Sequence, residues 1–360
     1  MKVGILGAGQ LGRMLALAGY PLDLEFVFLD PATDACAAPL GTHLHADYED
    51  ESALARFCEQ IDVATYEFEN VPAFTAGFVG GLKPLMPHPR ALIAGQDRCS
   101  EKQLFTSLGI PVAGNTSVDS LDQLRAAARD IGMPGIVKTR RFGYDGKGQK
   151  IIRGEADVAA AWESLGSRPL IYEAFVDFQR EVSMIGVRAA DGTTAFYPVT
   201  ENVHRDGILR VSTPRAHDAL QALAEDYTLR VLEHLDYVGV MAFEFFVVGD
   251  ELYANEIAPR VHNSGHWTMD GAVCSQFENH LRAIAGLPLG ETRLRAPCAM
   301  INFIGEVPPA ELLLAIPELH LHLYGKTPKP LRKVGHANIL APDHRTLQDR
   351  VAAVERLCLS

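Results

Sequence analysis

The chain has 360 residues, 48% hydrophobic and 22% charged, the balance of an ordinary soluble globular protein with room for two or three domains. Its 33 basic and 45 acidic residues leave a formal net charge of −12, which argues against a general nucleic-acid binder. The six cysteines, at 36, 58, 99, 274, 298 and 358, show no C-x-x-C spacing, so they offer neither a zinc site nor a redox motif and fit thiols in a reducing, cytoplasmic compartment.

The opening Met-Lys-Val-Gly-Ile-Leu-Gly is too short and too soon interrupted by glycine for a signal peptide, and no apolar run approaches the ~20 residues of a membrane helix. Residues 2–6 read as a strand, followed by Gly7-Ala8-Gly9-Gln10-Leu11-Gly12 and a helix from Arg13 to Gly19. Strands at Glu25–Leu29 and Val63–Glu67 and a helix at Glu51–Gln60 continue the alternation, which predicts a parallel, doubly wound sheet. Prolines at 84 to 89 mark its end. A small α+β unit follows: helices Lys102–Leu108, Leu121–Ile131 and Ala156–Leu165, with strands Gly135–Thr139, Gln149–Ile152 and Leu170–Ala174. From Arg180 to Arg260 the pattern is strand-rich, interrupted by a helix at Ala216–Leu235. His262–Met269 reads as a polar loop and Cys274–Ala285 as a helix. Beyond Leu289 come short strands and helices with a basic cluster from Lys326 to Lys333. The expected units are 1–97, 98–177, 178–290 and 291–360.

Three segments carry chemistry. The first G-x-G-x-x-G lies between strand and helix, with Asp30 eighteen residues after Gly12. That is the setting of a dinucleotide fingerprint and supports an NAD-dependent oxidoreductase, although its backbone N–H groups suit any anion. The second, Lys138 to Gln149, places three glycines and four basic residues in one loop, a cover for phosphates, and weighs against NAD. The third is a hairpin turning at Gly249-Asp250. Glu244 and Glu256 are equidistant from Asp250, so a symmetric three-residue loop sets their carboxylates opposite, roughly 5 Å apart at Cβ. Two such carboxylates suit a hard divalent cation, and magnesium goes with phosphate chemistry.

The order of strand lysine, glycine lid, linker glutamates and paired carboxylates resembles the ATP-grasp superfamily. Gly7–Met14, Glu67-Phe-Glu69-Asn-Val-Pro72, Asp97-Arg98, Gly143–Gln149, Asn255–Thr268 and Arg332–His336 narrow the resemblance to the 5-(carboxyamino)imidazole ribonucleotide synthase family of purine biosynthesis. The resemblance implies an ATP-grasp fold behind an N-terminal pre-ATP-grasp sheet, with a small C-terminal domain, magnesium, and a homodimer. It also implies a ligase that carboxylates 5-aminoimidazole ribonucleotide with ATP and bicarbonate through carboxyphosphate.

On that pattern Arg98 and Lys138 contact ATP phosphates. Gly143, Tyr144, Asp145, Gly146, Lys147, Gly148 and Gln149 form the lid. Glu173, Ala174, Phe175 and Val176 hold adenine, Glu181 the ribose, and His204 lines the nucleotide site. Glu244 and Glu256 hold magnesium beside Asn255. Arg260, His262 and Asn263 form the bicarbonate cluster, with Asp145 and Lys147 also catalytic. Glu69, Tyr144, Asp145, Lys326, Arg332 and Lys333 receive the ribonucleotide. Ala258 replaces the middle Asn of the common Glu-x-Asn-x-Arg pattern, leaving a third metal ligand open, and Phe142 stands where the family often has glycine. A formate-activating ribonucleotide transferase of the same superfamily is the near alternative.

Overall fold

The computed structural model describes residues 1–143, 146–166 and 168–358. Three sheets organise the chain. The first contains β1 (Lys2–Leu6), β2 (Glu25–Asp30), β3 (Thr42–His45) and β4 (Val63–Tyr66) in the order β3-β2-β1-β4, all parallel. Helices α1 (Gln10–Gly19) and α2 (Glu51–Glu59) are its crossovers, and α3 (Ala73–Leu82), α4 (Pro89–Gln96) and α5 (Arg98–Ser107) lead away from it. β1 is buried from Val3 to Leu6, as a central parallel strand covered on both faces must be. Asp97 caps α5 by accepting from the N–H groups of Cys99 and Ser100, satisfying donors that a helix start leaves open.

The second sheet holds β5 (Asn115–Val118), β6 (Gly135–Thr139), β7 (Gln149–Ile152) and β8 (Leu170–Ala174) in the order β5-β8-β6-β7, antiparallel throughout. It is covered by α6 (Leu121–Asp130) and α7 (Glu155–Leu165).

The third sheet is the frame of the molecule. It comprises β9 (Arg180–Arg188), β10 (Thr194–Phe196), β11 (Thr200–Arg205), β12 (Ile208–Pro214), β13 (Gly239–Val248), β14 (Glu251–Ala258), β15 (Cys298–Ile304), β16 (Leu319–Leu323) and β17 (Lys333–Leu340). The order is β14-β13-β9-β11-β12-β15-β17-β16, with β10 on β9. Its helices are α8 (Gln221–His234), α9 (Thr268–Gly271), α10 (Gln276–Ile284), α11 (Ala310–Leu314) and α12 (His344–Leu357). β15 joins β12 through Val211 and Ser212, so the C-terminal segment extends the sheet already begun at Arg180.

Leu11, Met14 and Leu15 of α1 share one core with Phe277 and Leu281 of α10 and Val240 and Ala242 of β13. At ~1.5–3 kcal/mol per buried large apolar side chain, this junction fixes the first sheet against the third. His280 pins it further: its Nδ1 accepts from the Val240 N–H at 3.1 Å, and its Nε2 lies 2.9 Å from Thr65 Oγ1 on β4.

Three sequence expectations need correction. Helices α3 and α4 flank the proline boundary at 84 to 89, in stretches to which the sequence reading assigns no element. Helix α8 starts at Gln221, not Ala216, because Asp218 accepts from the Leu220 N–H and pairs with Arg180, making a turn there. His262–Met269 is no solvated loop: it contains a 3₁₀ turn at Asn263–Gly265 and the start of α9, and Trp267 is wholly buried edge-on against Tyr197.

Candidate active site

Glu244 and Glu256 do face each other across the β13–β14 ladder, but by a different route from the one expected. Val248 pairs with Glu251, so the turn is two residues, Gly249 and Asp250, with Gly249 at φ +60°, the requirement of a type II′ hairpin. Continued regularly, that register would oppose Glu244 to Asn255. A bulge inserts one residue: Phe245 pairs with Ala254, then Glu244 with Glu256. Two buried charges of α5 hold it. Lys102 Nζ donates to the carbonyls of Ala254 at 3.1 Å and Asn255 at 2.6 Å, and Glu101 accepts from the Ile257 N–H at 2.7 Å. Burial pushes the Glu101 carboxyl up and the Lys102 ammonium down.

The paired carboxylates lie in a cleft of about 580 Å³ among the three sheets. Burial and then the charge of Glu256 push Glu244 up to about 7. Arg98 reaches Glu256 at 2.9 Å. His262 Nε2 lies 3.5 Å from Glu244, and burial followed by Arg260 lowers His262 to about 3, so this is a neutral imidazole. Arg260 Nε donates to Glu69 at 2.6 Å. Burial works against the Glu69 carboxylate, but Arg260 outweighs it and holds Glu69 at about 2. Both polar atoms of the Asn263 amide are buried without a partner, which a ligand bound between Arg260 and Asn263 would answer.

The lid meets this site from the second sheet. Lys138, Gly143, Gly146, Lys147 and Gln149 line the cleft, with Phe142 and Arg140. Gly146 and Gly148 have φ +73° and +75°, and Gly146 abuts Asp206 and Gly207 of the β11–β12 turn, so the lid already touches the large sheet. Phe142 has φ +62°, the left-handed region that a bulky residue rarely enters. That fits the expectation of glycine at this position. Tyr144 and Asp145 lie outside the described residues.

Lys138 does not point freely at phosphates. It forms a 2.7 Å ion pair with Glu173, both buried. The other oxygen of Glu173 is buried and unpartnered. Glu173, Ala174, Phe175 and Val176 do not line the cleft, and the N–H groups of Ala174 and Phe175 donate to Gly114 and Pro134. Glu181 does line it, 2.9 Å from His204. This contact raises His204 against the opposing effect of burial.

Stacked rings of Phe178 and Phe246, centroids 4.7 Å apart, form an apolar wall there. A flat wall beside cations suits a base followed by phosphates. Two carboxylate donors of hard oxygen suit magnesium, which commonly takes one or two carboxylates and completes its shell with phosphate and water. No group of three or more His, Cys, Asp or Glu poised for a metal occurs among the described residues.

At the other end, the first glycine motif does not present an open nest. The Glu67 carboxylate accepts from the N–H groups of Gly9 and of Gly12, the latter at 2.7 Å, and Asp30 accepts from Ala8 at 2.8 Å. The seat that a dinucleotide's pyrophosphate would use is filled by the chain itself, which removes the basis of the NAD reading. Lys326 donates to Gln10, and Gln10, Glu69 and Lys333 line the cleft. Arg332 is turned to the Thr327 carbonyl at 3.1 Å and does not reach the cleft. A Cβ at Gly9 would lie 2.7 Å from Glu67 Oε1. Gly9→Ala should therefore break the Glu67 bonds and cost about 1–3 kcal/mol in urea unfolding; a loss under about 0.5 kcal/mol would contradict this role for Glu67.

Comparison with known proteins agrees with this geometry. Residues 1–96 match the ribonucleotide synthetase preATP-grasp domain, 103–277 the ATP-grasp domain, and 298–350 the phosphoribosylaminoimidazole carboxylase C-terminal domain. The chain is 56% identical over 357 residues to the N5-carboxyaminoimidazole ribonucleotide synthase of Pseudomonas aeruginosa, covering 99% of each. The chain belongs to the N5-carboxyaminoimidazole ribonucleotide synthase family. The synthetase structure from Thermus thermophilus superposes with a TM-score of 0.95 at 51% identity, covering 99% of this chain and 98% of that one. The Aspergillus clavatus synthase, solved with ADP and 5-aminoimidazole ribonucleotide, gives 0.92 at 30% identity, covering 99% and 98%.

Members of this family are ATP-grasp ligases, and the fold carries the pre-ATP-grasp sheet and C-terminal segment that the family requires. Glu67, Glu101, Lys102, Phe178 and Phe246 are parts of the site that sequence reasoning does not single out. For Glu67 a signal exists, since Glu67-Phe-Glu69 ends a strand beside the glycine loop. Lys102 and Glu101 look like ordinary helix-surface charges, and nothing local distinguishes them.

Proposed function

We propose that this chain uses ATP to carboxylate 5-aminoimidazole ribonucleotide with bicarbonate, giving N5-carboxyaminoimidazole ribonucleotide, ADP and phosphate. The observation that supports it best is the meeting point of the cleft. The lid cations and paired carboxylates lie on one side, the Gln10, Glu69 and Lys333 wall on the other, and Arg260, His262 and Asn263 lie between. Phe178 and Phe246 would flank adenine, Glu181 the ribose, and Arg98, Lys138 and Lys147 the phosphates. Lys138 would exchange part of its hold on Glu173 for phosphate oxygens.

Glu244 and Glu256 would hold magnesium, which supplies charge neutralisation for phosphoryl transfer. Arg260 presents a planar guanidinium to a carboxylate-like anion. Activated bicarbonate is a mixed anhydride that water destroys, so a lid closing on the β11–β12 turn serves the chemistry by excluding it. We place the enzyme in the cytoplasm and as a homodimer; among the described residues no helix is long and apolar enough to cross a membrane.

The deciding experiment measures ADP release with magnesium while bicarbonate and ribonucleotide are each omitted in turn, and with formate in place of bicarbonate. Release that needs both, and that formate does not support, is the expected result. Formate-supported turnover would favour the formyl-transferring alternative. Lys326→Ala should raise KM for the ribonucleotide at least tenfold, ~1.4 kcal/mol, and leave KM for ATP within twofold. Equal effects on both would remove Lys326 from the phosphate end of the ribonucleotide site.

A further inference from the structure

His262 ends the buried chain of hydroxyls that crosses the third sheet beneath the cleft. Ser212 Oγ donates to Asn202 Oδ1 at 2.7 Å, Asn202 Nδ2 donates to Ser183 Oγ at 3.0 Å, and Ser183 Oγ donates to Ser264 Oγ at 2.8 Å. Ser264 Oγ lies 2.8 Å from His262 Nδ1. The three serines are wholly buried and Asn202 nearly so. Ser183 stands opposite Glu244 in the β9–β13 ladder, and Asn202 opposite Ser212. The chain therefore runs across adjacent strands on the same sheet face as Glu244, beside the paired carboxylates.

The direction of these bonds is decided at the histidine. The backbone N–H of Ser264 also points at His262 Nδ1, at 3.3 Å, where His262 caps the 3₁₀ turn. A backbone N–H can only donate, so Nδ1 is an acceptor and carries no hydrogen. Ser264 Oγ, having accepted from Ser183, has its own hydrogen left for the same nitrogen. The main chain of His262 is clamped as well: its N–H donates to Gln276 Oε1 at 2.9 Å and its carbonyl accepts from Gln276 Nε2 at 2.6 Å. With Nδ1 occupied, a neutral ring carries its hydrogen on Nε2, the atom that faces Glu244 and the cleft.

We propose that the Ser264 backbone N–H, backed by the Ser212–Asn202–Ser183–Ser264 chain, holds His262 in the Nε2–H tautomer, so that this residue serves the cleft as a hydrogen-bond donor to a bound oxyanion and not as a general base. Ser264 and Ser183 are then positioning residues that act through His262. The role of His262 rests on the carboxylation reading above; its tautomer does not. A donor fixed before the substrate arrives needs no reorganisation when negative charge develops, and an orienting partner behind the ring is how a histidine is committed to one nitrogen.

The test is long-range ¹H–¹⁵N NMR of histidine-labelled protein, with the His262 signals assigned by their absence in His262→Gln. A bare Nδ1 and a protonated Nε2 are expected; a protonated Nδ1 would overturn the proposal in the unmodified chain. Kinetics separate donor from base. Gln keeps an N–H donor but cannot take a proton, so His262→Gln should stay within about tenfold of wild-type kcat while His262→Ala loses at least about a hundredfold. Equal losses would contradict the donor role. Ser264→Ala keeps the backbone N–H on Nδ1 and removes only the hydroxyl, so it should shift the His262 Nδ1 signal, keep the Nε2–H form and lower kcat about tenfold with KM for ATP unchanged as the ring loses its second anchor; an unaltered spectrum and kcat would show the hydroxyl chain to be idle. If wild-type protein forms no ADP in response to bicarbonate and ribonucleotide, the functional reading fails while the NMR result stands on its own.

Discussion

Replacement of Glu256 by Gln should lower ADP formation at least about a thousandfold while the protein stays folded. The carboxylate does two jobs at once: it faces Glu244 across the ladder, and it holds Arg98 at 2.9 Å. Gln keeps the shape and loses the charge, so the cation site drops from two carboxylates to one and Arg98 loses its anchor. Removing one preorganised charge from such a site is worth about 2.7–4 kcal/mol of barrier, and losing two linked functions puts the effect at or above the upper end. Stability should move little, because relief of the Glu256 repulsion, which adds to burial in raising Glu244, offsets the lost Arg98 pair. ADP release under saturating magnesium and a thermal melt check both halves. Near-normal turnover, or a melt that collapses, would show that Glu256 is structural.

Lys102→Met should be the most destabilising of these substitutions. The residue is 2% exposed, and its Nζ serves two carbonyls at the bulge. Met fills the space but withdraws the ammonium donor from both carbonyls, with the neighbouring Glu101 carboxyl still bonded to Ile257. Breaking a buried charged cluster by removing one member costs about 3–5 kcal/mol, which for a chain of this size lowers Tm by roughly 6 °C or more. The bulge is what brings Glu256, not Asn255, opposite Glu244, so the folded protein that remains should also lose magnesium-dependent turnover. A Tm within about 2 °C of wild type, with full activity, would mean that the hairpin keeps its register unaided.

These two residues show what can be read in advance. The opposition of Glu244 and Glu256 is legible because alternation and a glycine turn are local, yet a symmetric three-residue loop gives the right pairing only because the bulge at Asn255 adds the residue that the tighter turn omits. The lid is legible for the same reason: glycines and cations crowd one short segment. Glu67 belongs to a recognisable pattern, but its carboxylate meets Gly9 across 58 residues and Lys102 meets Ala254 across 152. A buried, fully bonded charge has the same spelling as an exposed one. Arg332 fails in the opposite way, since a basic cluster gives composition without aim, and only Lys333 of the adjacent pair faces the cleft.

One uninterrupted ladder runs from β14 to β17. It carries Glu256 near one edge and Lys333 five strands beyond β13 toward the other. The Glu256 and Lys333 sides of the cleft therefore stand on one continuous sheet, and Gln10 and Glu69 are held against it by the core that α1 shares with α10 and β13. The four-stranded sheet that bears the glycine loop has a core of its own, apart from that ladder, so the separation of the Glu256 and Lys333 ends is set at folding, before anything is bound.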